Sequence, residues 1–176
     1  RDHLVSPGEA RMSLVVRPAR TSDVRIVREL IDTYAPGGRL LSKNTVTIYE
    51  DVQEFVVTEL DGALVGCGAL HVMWEDLGEV RTVAVDPEQK GHGIGSAILT
   101  ELIARARALG LRRLFCLTFE TDFFSRHGFA EISDVPVDED TFAEMVRSND
   151  DAVAEFLDLA RVKENTLGNT RMLALL

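Results

Sequence analysis

The feature that most constrains this chain is a glycine-rich turn between a β-branched run and an apolar-periodic segment. Val83-Ala84-Val85 indicates a strand, Pro87 marks its exit, and glycines alternate at positions 91, 93 and 95 before a predicted helix that ends near Leu109. Alternating glycines let the backbone bend tightly, so several N–H groups point to one place, and a helix N-terminus adds partial positive charge. The sequence therefore predicts a site for a phosphate or pyrophosphate group.

Two common phosphate-binding loops do not fit this turn. A P-loop requires Gly-x-x-x-x-Gly-Lys followed by Ser or Thr, and the chain contains no such string. The dinucleotide fingerprint Gly-x-Gly-x-x-Gly differs in spacing from Gly91-His92-Gly93-Ile94-Gly95. The next predicted strand, Arg113 to Thr118, also lacks the acidic residue that would bind ribose. The phosphate therefore belongs to another class of ligand.

The turn resembles the coenzyme A loop of the GNAT superfamily of N-acetyltransferases. That loop reads Gln or Arg, two residues, Gly, one residue, then Gly or Ala, and Lys90 stands here in place of the usual first residue. The resemblance covers about Val16 to the C-terminus and implies that acetyl-CoA is the donor, with its pyrophosphate on the loop and its pantetheine arm along the preceding strand. It assigns these residues to the cofactor: Val83, Val85, Lys90, Gly91, His92, Gly93, Ile94, Gly95, Ser96, Phe124 and Arg126. A solvent-facing position for His92 is the alternative.

The order of predicted elements fits a mixed α/β sheet. Asp61-Gly62 is a two-residue hairpin signal between two predicted strands. A helical crossover joins the strand that ends at Val85 to the strand at Arg113 to Thr118, so those two strands are expected to be parallel. The resemblance implies the acyl-CoA N-acyltransferase fold, a central mixed sheet flanked by helices. We expect residues 1–13 to be an N-terminal tail or expression remnant, residues 14–176 to form one domain, and residues 141–160 to form one helix.

Charge is distributed unevenly along the chain. The net charge is −10, and ten acidic residues with only Arg147 as a base lie between Glu131 and Asp158. This segment predicts a solvated helical face and argues against nucleic-acid binding. No apolar run approaches the ~20 residues of a membrane span, so no membrane association is expected.

Cysteine and histidine usage excludes two further classes of site. Cys67 and Cys116 both lie in strand-like apolar runs, which favours buried free thiols and a reducing, cytoplasmic location over a disulfide. The four histidines have no ligand-like spacing with cysteine or carboxylates, so no metal is expected.

A second motif narrows the acceptor. Phe123 to Phe129 is similar to the family's aromatic pair followed by Gly-Phe, but Phe124 stands where many members carry a tyrosine acid. Loss of that acid is tolerable because a thiol of pKa ~8.5 is already a fair leaving group. With the strings 40–43, 66–70, 78–85, 114–129 and 168–173, the chain resembles the acetyltransferase domain of N-acetylglutamate synthases and, more closely, short actinobacterial amino-acid acetyltransferases. The resemblance implies acetyl transfer to the α-amine of glutamate or glutamine, the first step of arginine biosynthesis.

Candidate reaction residues follow from that resemblance and from their positions. Glu79, at the start of the predicted strand, is the candidate general base, with a surface carboxylate as the alternative. A backbone N–H near Val83 could stabilise the oxyanion, and Thr118 could contact the acceptor or the thiolate, or simply end a strand. Arg81 is a candidate for the acceptor's carboxylate or for a structural ion pair. The remaining acceptor candidates are Lys43, Asn169, Thr170 and Arg171.

One departure from the family concerns side-chain recognition. N-acetylglutamate synthases usually carry arginine where this chain has Gly168, and loss of a bidentate guanidinium weakens preference for a carboxylate over an amide. We therefore expect glutamine to be accepted at least as well as glutamate. Acetylation of another small amine or a protein N-terminus, and a non-catalytic acyl-CoA-binding domain, are the alternative functions. The family's C-terminal strands lead us to expect a homodimer.

Overall fold

The computed structural model describes residues 13–34, 44–162 and 168–176. Within them, seven strands form one mixed sheet in the order β1-β2-β3-β4-β5-β7-β6, in which only the neighbours β4 and β5 are parallel. The strands are β1 (Leu14–Pro18), β2 (Phe55–Leu60), β3 (Ala63–Trp74), β4 (Leu77–Val85), β5 (Arg113–Thr118), β6 (Phe129–Glu131) and β7 (Thr170–Leu175). The helices are α1 (Val24–Tyr34), α2 (Thr45–Glu50), α3 (Ile94–Leu109), α4 (Thr121–Ser125), α5 (Glu139–Met145) and α6 (Asp151–Phe156). The predicted mixed α/β sheet flanked by helices is confirmed.

Alternating strand residues divide the core between the two faces of the sheet. In β5, Leu114 and Cys116 pack with α3 and α4, whereas Phe115 between them packs with α5 and α6. The second face has two parts, because α1 and α2 cover β2 and β3 while α5 and α6 cover the region around Phe115. The sheet is therefore the middle layer of three.

The β4 strand contains a bulge that prepares the site. Cys67 pairs with Ala84 and Ala69 with Arg81, so Gly68 alone faces two residues of β4. Thr82, one of these two, has a φ of +59°, a conformation that side chains rarely adopt. A Cβ on Gly68 would lie 2.5 Å from Ile98, so glycine is required for α3 to approach the sheet here. The bulge thus coincides with close packing of α3.

The parallel strands β4 and β5 pair over only part of their length. Their register covers Leu77 to Glu79 against Arg113 to Phe115, and no later residue pairs. From Val80 onward the two strands diverge, which leaves a gap in the sheet between two segments that retain extended backbone. This gap is where an extended ligand could pair with strand edges.

The prediction of one helix over residues 141–160 is wrong. The structure has two short helices there, α5 and α6, separated at Arg147 to Asp150. Asp150 ends the break because its carboxylate accepts a hydrogen bond from the backbone N–H of Ala152 and caps α6. A capping side chain competes with helix continuation, which apolar periodicity alone does not show.

In the described part of the chain, none of the helices combines the length and the apolar character that a membrane crossing requires.

Candidate active site

A cavity of about 500 Å³ opens at the gap between β4 and β5. It extends from the glycine turn and the start of α3 to the end of β5 and to α4. Its lining consists of Tyr34, Val80, Arg81, Thr82, Val83, Val85, Gln89, Lys90, Gly91, Gly93, Ile94, Gly95, Ser96, Leu117, Thr118, Phe119, Glu120, Phe123, Phe124 and Arg126. Ten of the eleven predicted cofactor residues belong to this lining: eight lie between Val83 and Ser96, and Phe124 and Arg126 lie in α4 and directly after it. His92 is exposed and outside the lining.

The glycine turn has the backbone geometry of an anion cradle. Gly91 and Gly93 have φ values of +90° and +71°, and a Cβ at either position would meet nothing within 4 Å. Glycine is therefore needed for the backbone angle and leaves open space on the turn. The first bond of α3 runs from the Ala97 N–H to the Gly93 carbonyl, so the N–H groups of Ile94 to Ser96 lie at the free helix end. This arrangement suits a phosphate group.

Cationic and aromatic side chains flank the cradle. Lys90 lies 5.8 Å from the centroid of the Tyr34 ring, and both residues line the cavity with Arg126. The Tyr34 hydroxyl donates a hydrogen bond to the Val85 carbonyl and so ties α1 to the end of β4. Tyr34 was not among the predicted site residues, because its role depends on a residue 51 positions away.

The edge of β4 faces the gap. The Asp86 N–H donates a hydrogen bond to the Val65 carbonyl of β3. Backbone groups of successive strand residues point to alternate sides, so those of Val83 and Val85 point away from β3, toward the gap. Both residues line the cavity. A ligand in the gap would therefore meet a strand edge, which is where the family resemblance implies the pantetheine arm.

Two phenylalanines close the side of the cavity next to α3. The Phe123 ring lies 3.4 Å from where a Cβ of Gly95 would be, and its centroid is 5.2 Å from that of Phe124. Phe124 is buried against Phe129, also at 5.2 Å. Of these two phenylalanines only Phe124 was a predicted site residue, although the aromatic pair in the sequence was an equal signal for Phe123.

Glu79 and Thr118 lie on the two strands that border the gap. Glu79 is only 4% exposed and precedes Val80, the first cavity residue of β4. Thr118 is buried at the end of β5, lines the cavity, and accepts a hydrogen bond from the Glu120 N–H at 2.8 Å through its hydroxyl oxygen. Both side chains are buried within strands. The alternative for Glu79, a carboxylate exposed at the surface, does not apply.

Arg81 belongs to an ion cluster that joins three elements. Its guanidinium is 3.1 Å from both Glu54 and Asp150 and 3.8 Å from Asp51. Burial alone would lower the pKa of Arg81, but the adjacent Glu79, Asp150 and Glu54 carboxylates raise it above its ordinary value. Arg81 also lines the cavity. It therefore makes the structural ion pairs that were the alternative to acceptor binding, and it borders the candidate site as well.

The C-terminal candidates lie beside the site rather than in the cavity lining. Thr170 pairs with Thr118 in the sheet. Arg171 donates to the backbone carbonyls of Glu155 and Phe156 at the end of α6, and its burial lowers its pKa. Neither these two nor Asn169 line the cavity. Lys43 lies outside the described residues.

The two cysteines are buried and are poor candidates for a nucleophile. Cys67 and Cys116 are free and buried, as predicted, and burial raises the pKa of the Cys67 thiol to about 12. Burial also holds the pKa of Cys116 well above its ordinary value, so a thiolate nucleophile is disfavoured. Among the residues described by the structure, no group of three or more His, Cys, Asp or Glu could hold a metal ion.

Comparison with known proteins identifies this arrangement. Residues 25–131 match the acetyltransferase (GNAT) family. The amino-acid acetyltransferase of Mycobacterium tuberculosis is 62% identical over 165 residues, which are 92% of this chain and 94% of that protein. The crystal structure of Rv2747 from Mycobacterium tuberculosis in complex with CoA and NLQ has a TM-score of 0.88 at 62% identity and covers 92% of this chain and 99% of that one.

A longer relative shares the same fold. N-acetylglutamate synthase from Neisseria gonorrhoeae, complexed with coenzyme A and N-acetyl-glutamate, has a TM-score of 0.75 at 26% identity. The match covers 96% of this chain but 36% of that protein. The chain belongs to the acetyltransferase (GNAT) family, and it is an enzyme with acetyl-CoA as the acetyl donor. The expected family, fold and donor are confirmed.

Proposed function

We propose that the protein transfers the acetyl group of acetyl-CoA to the α-amino group of L-glutamine or L-glutamate by direct attack of the amine on the thioester. The observation that carries this proposal is the cavity that connects the glycine cradle to the gap between β4 and β5. The reaction class, acetylation of an amino acid, follows from the 62% identical relative over nearly the full length of both chains. The place of the reaction as the first step of arginine biosynthesis is part of the proposal.

The donor would lie with its phosphates on the cradle and its arm along β4. The N–H groups at the start of α3, together with Lys90 and Arg126, supply the positive charge that the phosphates need. The backbone of Val83 faces the gap, so its N–H is the candidate donor to the developing oxyanion. A fixed backbone donor needs no reorganisation during the reaction, which is why we favour it over a side chain.

Glu79 is the proposed general base. The amine of an amino acid is mostly protonated at neutral pH and must lose a proton before it attacks. Glu79 is a buried carboxylate that precedes the first cavity residue of β4 in the chain, and its proposed contact with the amine runs through a water molecule. Thr118, across the gap on β5, is proposed to contact the departing thiolate or the acceptor.

The surroundings of Gly168 support acceptance of glutamine. Gly168 has a φ of +80°, and a Cβ there would lie 3.2 Å from the ring of Phe119, which lines the cavity. This chain therefore lacks the arginine that is the family's usual partner for a side-chain carboxylate. An arginine at this position would meet both backbone strain and the Phe119 ring. Lys43, Asn169, Thr170 and Arg171 are the proposed remaining contacts to the acceptor's polar groups.

Steady-state kinetics on a panel of the twenty amino acids tests the proposal. Release of coenzyme A should exceed the acceptor-free background with glutamine and glutamate, and kcat/KM for glutamine should equal or exceed that for glutamate. A glutamate preference above tenfold contradicts the argument from Gly168. Release that never exceeds background with any amino acid favours a non-catalytic acyl-CoA-binding domain instead.

A further inference from the structure

Thr82 combines an unfavourable backbone conformation with a place in the cavity lining. Its φ of +59° is an outlier for a β-branched residue. Such outliers oppose folding, and they cluster at sites where the geometry they impose is used. Thr82 is only 7% exposed and lines the cavity at the gap between β4 and β5. The strained position at a cavity wall therefore points to a function for this residue.

The bulge in β4 makes Thr82 the inserted residue of the strand. Val80 and Val83 both pack with the core on the α3 side of the sheet. In a regular strand one residue separates neighbours on the same face, but here two residues, Arg81 and Thr82, separate them. Arg81 occupies the opposite face, where it binds Asp150 at the start of α6. Thr82 is therefore the residue that the bulge inserts, and it borders the gap, where it lines the cavity.

The same turn presents two hydrogen-bond donors to the gap. The Thr82 carbonyl accepts a hydrogen bond from the Cys67 thiol, 3.5 Å from sulfur to oxygen, so this carbonyl points toward β3. The N–H and C=O groups of a trans peptide point in opposite directions, so the Val83 N–H points away from β3, toward the gap. Among the residues that the structure describes, none forms a hydrogen bond with the Thr82 hydroxyl. That hydroxyl is a second donor for a ligand.

The Thr82 hydroxyl has little freedom to move. A β-branched side chain is stiff at χ1, and burial of the residue restricts it further. Donors that are oriented before the reaction cost no reorganisation when charge develops on the substrate, which is what makes oxyanion stabilisation strong. The side chain of Thr82 thus meets the requirement that favours the backbone N–H of Val83.

We propose that the Thr82 hydroxyl is a catalytic group that donates a hydrogen bond to the carbonyl oxygen of the acetyl group, beside the Val83 N–H. When the amine attacks, a C–N bond forms and the π electrons of the C=O bond move to this oxygen, which both donors stabilise. The C=O bond then re-forms, the C–S bond breaks, and its electrons leave with the thiolate. Thr82 keeps its proton throughout. The proposal rests on the direct attack proposed above, but not on which amine attacks.

Thr82→Val and Thr82→Ser test the assignment. Valine keeps the β-branched shape and lacks the hydroxyl, whereas serine keeps the hydroxyl. With saturating glutamine, we expect kcat of Thr82→Val to fall by about 10²-fold, since loss of one oxyanion donor costs ~10²–10³ in kcat. The KM of both substrates should stay within threefold, because the contact strengthens only as charge develops. Thr82→Ser should keep kcat within fivefold of the unaltered protein, which a purely steric role of the threonine does not explain.

Thr58→Val is the matched control. Thr58 is buried in β2 and its hydroxyl has no hydrogen-bond partner among the described residues, but it does not line the cavity, so kcat should stay within twofold. A Thr82→Val kcat within threefold of the unaltered protein, or an equal loss in Thr82→Ser, overturns the proposal. A rise in KM for glutamine larger than the fall in kcat also overturns it, because the hydroxyl then binds the acceptor. If Thr82→Val does not fold by circular dichroism, Thr82→Ala is measured against the same criteria.

The activity of the unaltered protein separates this proposal from the one on which it rests. If another amino acid is acetylated instead of glutamine and glutamate, the acceptor proposal fails, and the Thr82 variants are compared with that amino acid by the same criteria. Coenzyme A release that never exceeds background overturns both proposals. Full activity of Thr82→Val in a protein that acetylates glutamine overturns the role of Thr82 alone.

Discussion

At the scale of single residues, Arg81 shows how one side chain takes part in two environments. Its guanidinium holds Glu54 and Asp150 together, and the same residue lines the cavity. Only 14% of its side chain is exposed, so the cluster lies in a medium where charges interact strongly. Among the residues that the structure describes, Arg81 is the arginine that contacts Glu54, Asp150 and Asp51, so its removal would leave these carboxylates close together without it.

The first residue-scale prediction concerns Arg81→Met. Breaking a buried ion pair by removal of one partner costs about 3–5 kcal/mol, and we expect a loss near the lower end because the cluster is not fully buried. Urea unfolding at pH 7 measures it. Arg161→Met is the control, since the Arg161–Asp151 pair is as close, at 2.7 Å, but largely exposed, and should cost less than about 1 kcal/mol. Equal losses for the two variants would contradict the assignment of Arg81 to a buried cluster.

The second prediction at this scale concerns Glu79. Glu79→Gln keeps the shape of the side chain and removes its ability to take a proton, so kcat should fall by about 10²-fold or more. Binding of acetyl-CoA should change little, because Glu79 does not line the cavity. Initial rates with glutamine and calorimetric titration with coenzyme A separate the two effects. A kcat within threefold of the unaltered protein would remove Glu79 from the mechanism.

At the scale of elements, the start of α3 is the part of the fold most directly built for a ligand. The turn before it uses positive φ values at Gly91 and Gly93, and α3 ends at Gly110 with a φ of +89°. Both ends of the same helix therefore depend on left-handed glycines. Only the N-terminal end borders the cavity.

Gly93→Ala and Gly110→Ala form a matched pair. Both positions have positive φ and open space for a Cβ, so each substitution should lower the free energy of unfolding by about 1–2 kcal/mol. Only Gly93→Ala should also weaken coenzyme A binding, by about tenfold or more, because its new methyl group enters the cradle. Thermal unfolding and calorimetric titration of both variants measure the effects. Equal coenzyme A affinities would contradict the placement of the phosphates at this turn.

At the scale of the whole molecule, ion pairs connect elements far apart in the chain. Arg17 of β1 binds Asp23 at 2.8 Å and Glu59 at 2.8 Å. Arg81 of β4 connects Glu54, which lies between α2 and β2, to Asp150 at the start of α6. The Arg17 guanidinium holds the pKa of Asp23 below its ordinary value despite the opposing effect of burial. Acidic residues thus stabilise the fold as carboxylates.

Stability should therefore fall in acid. The pKa values of Asp23, Glu54 and Asp150 are all lower in the folded protein than their ordinary values of 3.8 to 4.5. A group with a depressed pKa contributes its full stabilisation above the ordinary value and loses it as the pH falls toward the folded value. The free energy of unfolding, measured in urea from pH 7 to pH 3, should be level near neutrality and drop below about pH 5. A free energy that rises on acidification would contradict these pKa directions.

Much of the site follows from local sequence. The strand, glycine turn and helix over residues 83–109, the Asp61-Gly62 hairpin and the strand at Arg113–Thr118 all occur where the sequence predicts them. Each depends on neighbours within a few positions, through φ preferences or apolar periodicity. The single helix predicted over residues 141–160 is wrong, because a capping interaction at Asp150 interrupts the helix despite the apolar periodicity.

The sequence by itself determined the cradle, because positive φ values at glycines are a local backbone property, and the resemblance of this turn to the family's coenzyme A loop indicated the donor. Only the tertiary structure decided which groups surround the reaction. Arg81 meets Glu54 at a separation of 27 residues and Asp150 at 69 residues, and Phe123 of α4 packs against Gly95 of α3. Such contacts depend on how separate elements pack across the sheet, which periodicity and local preference do not encode.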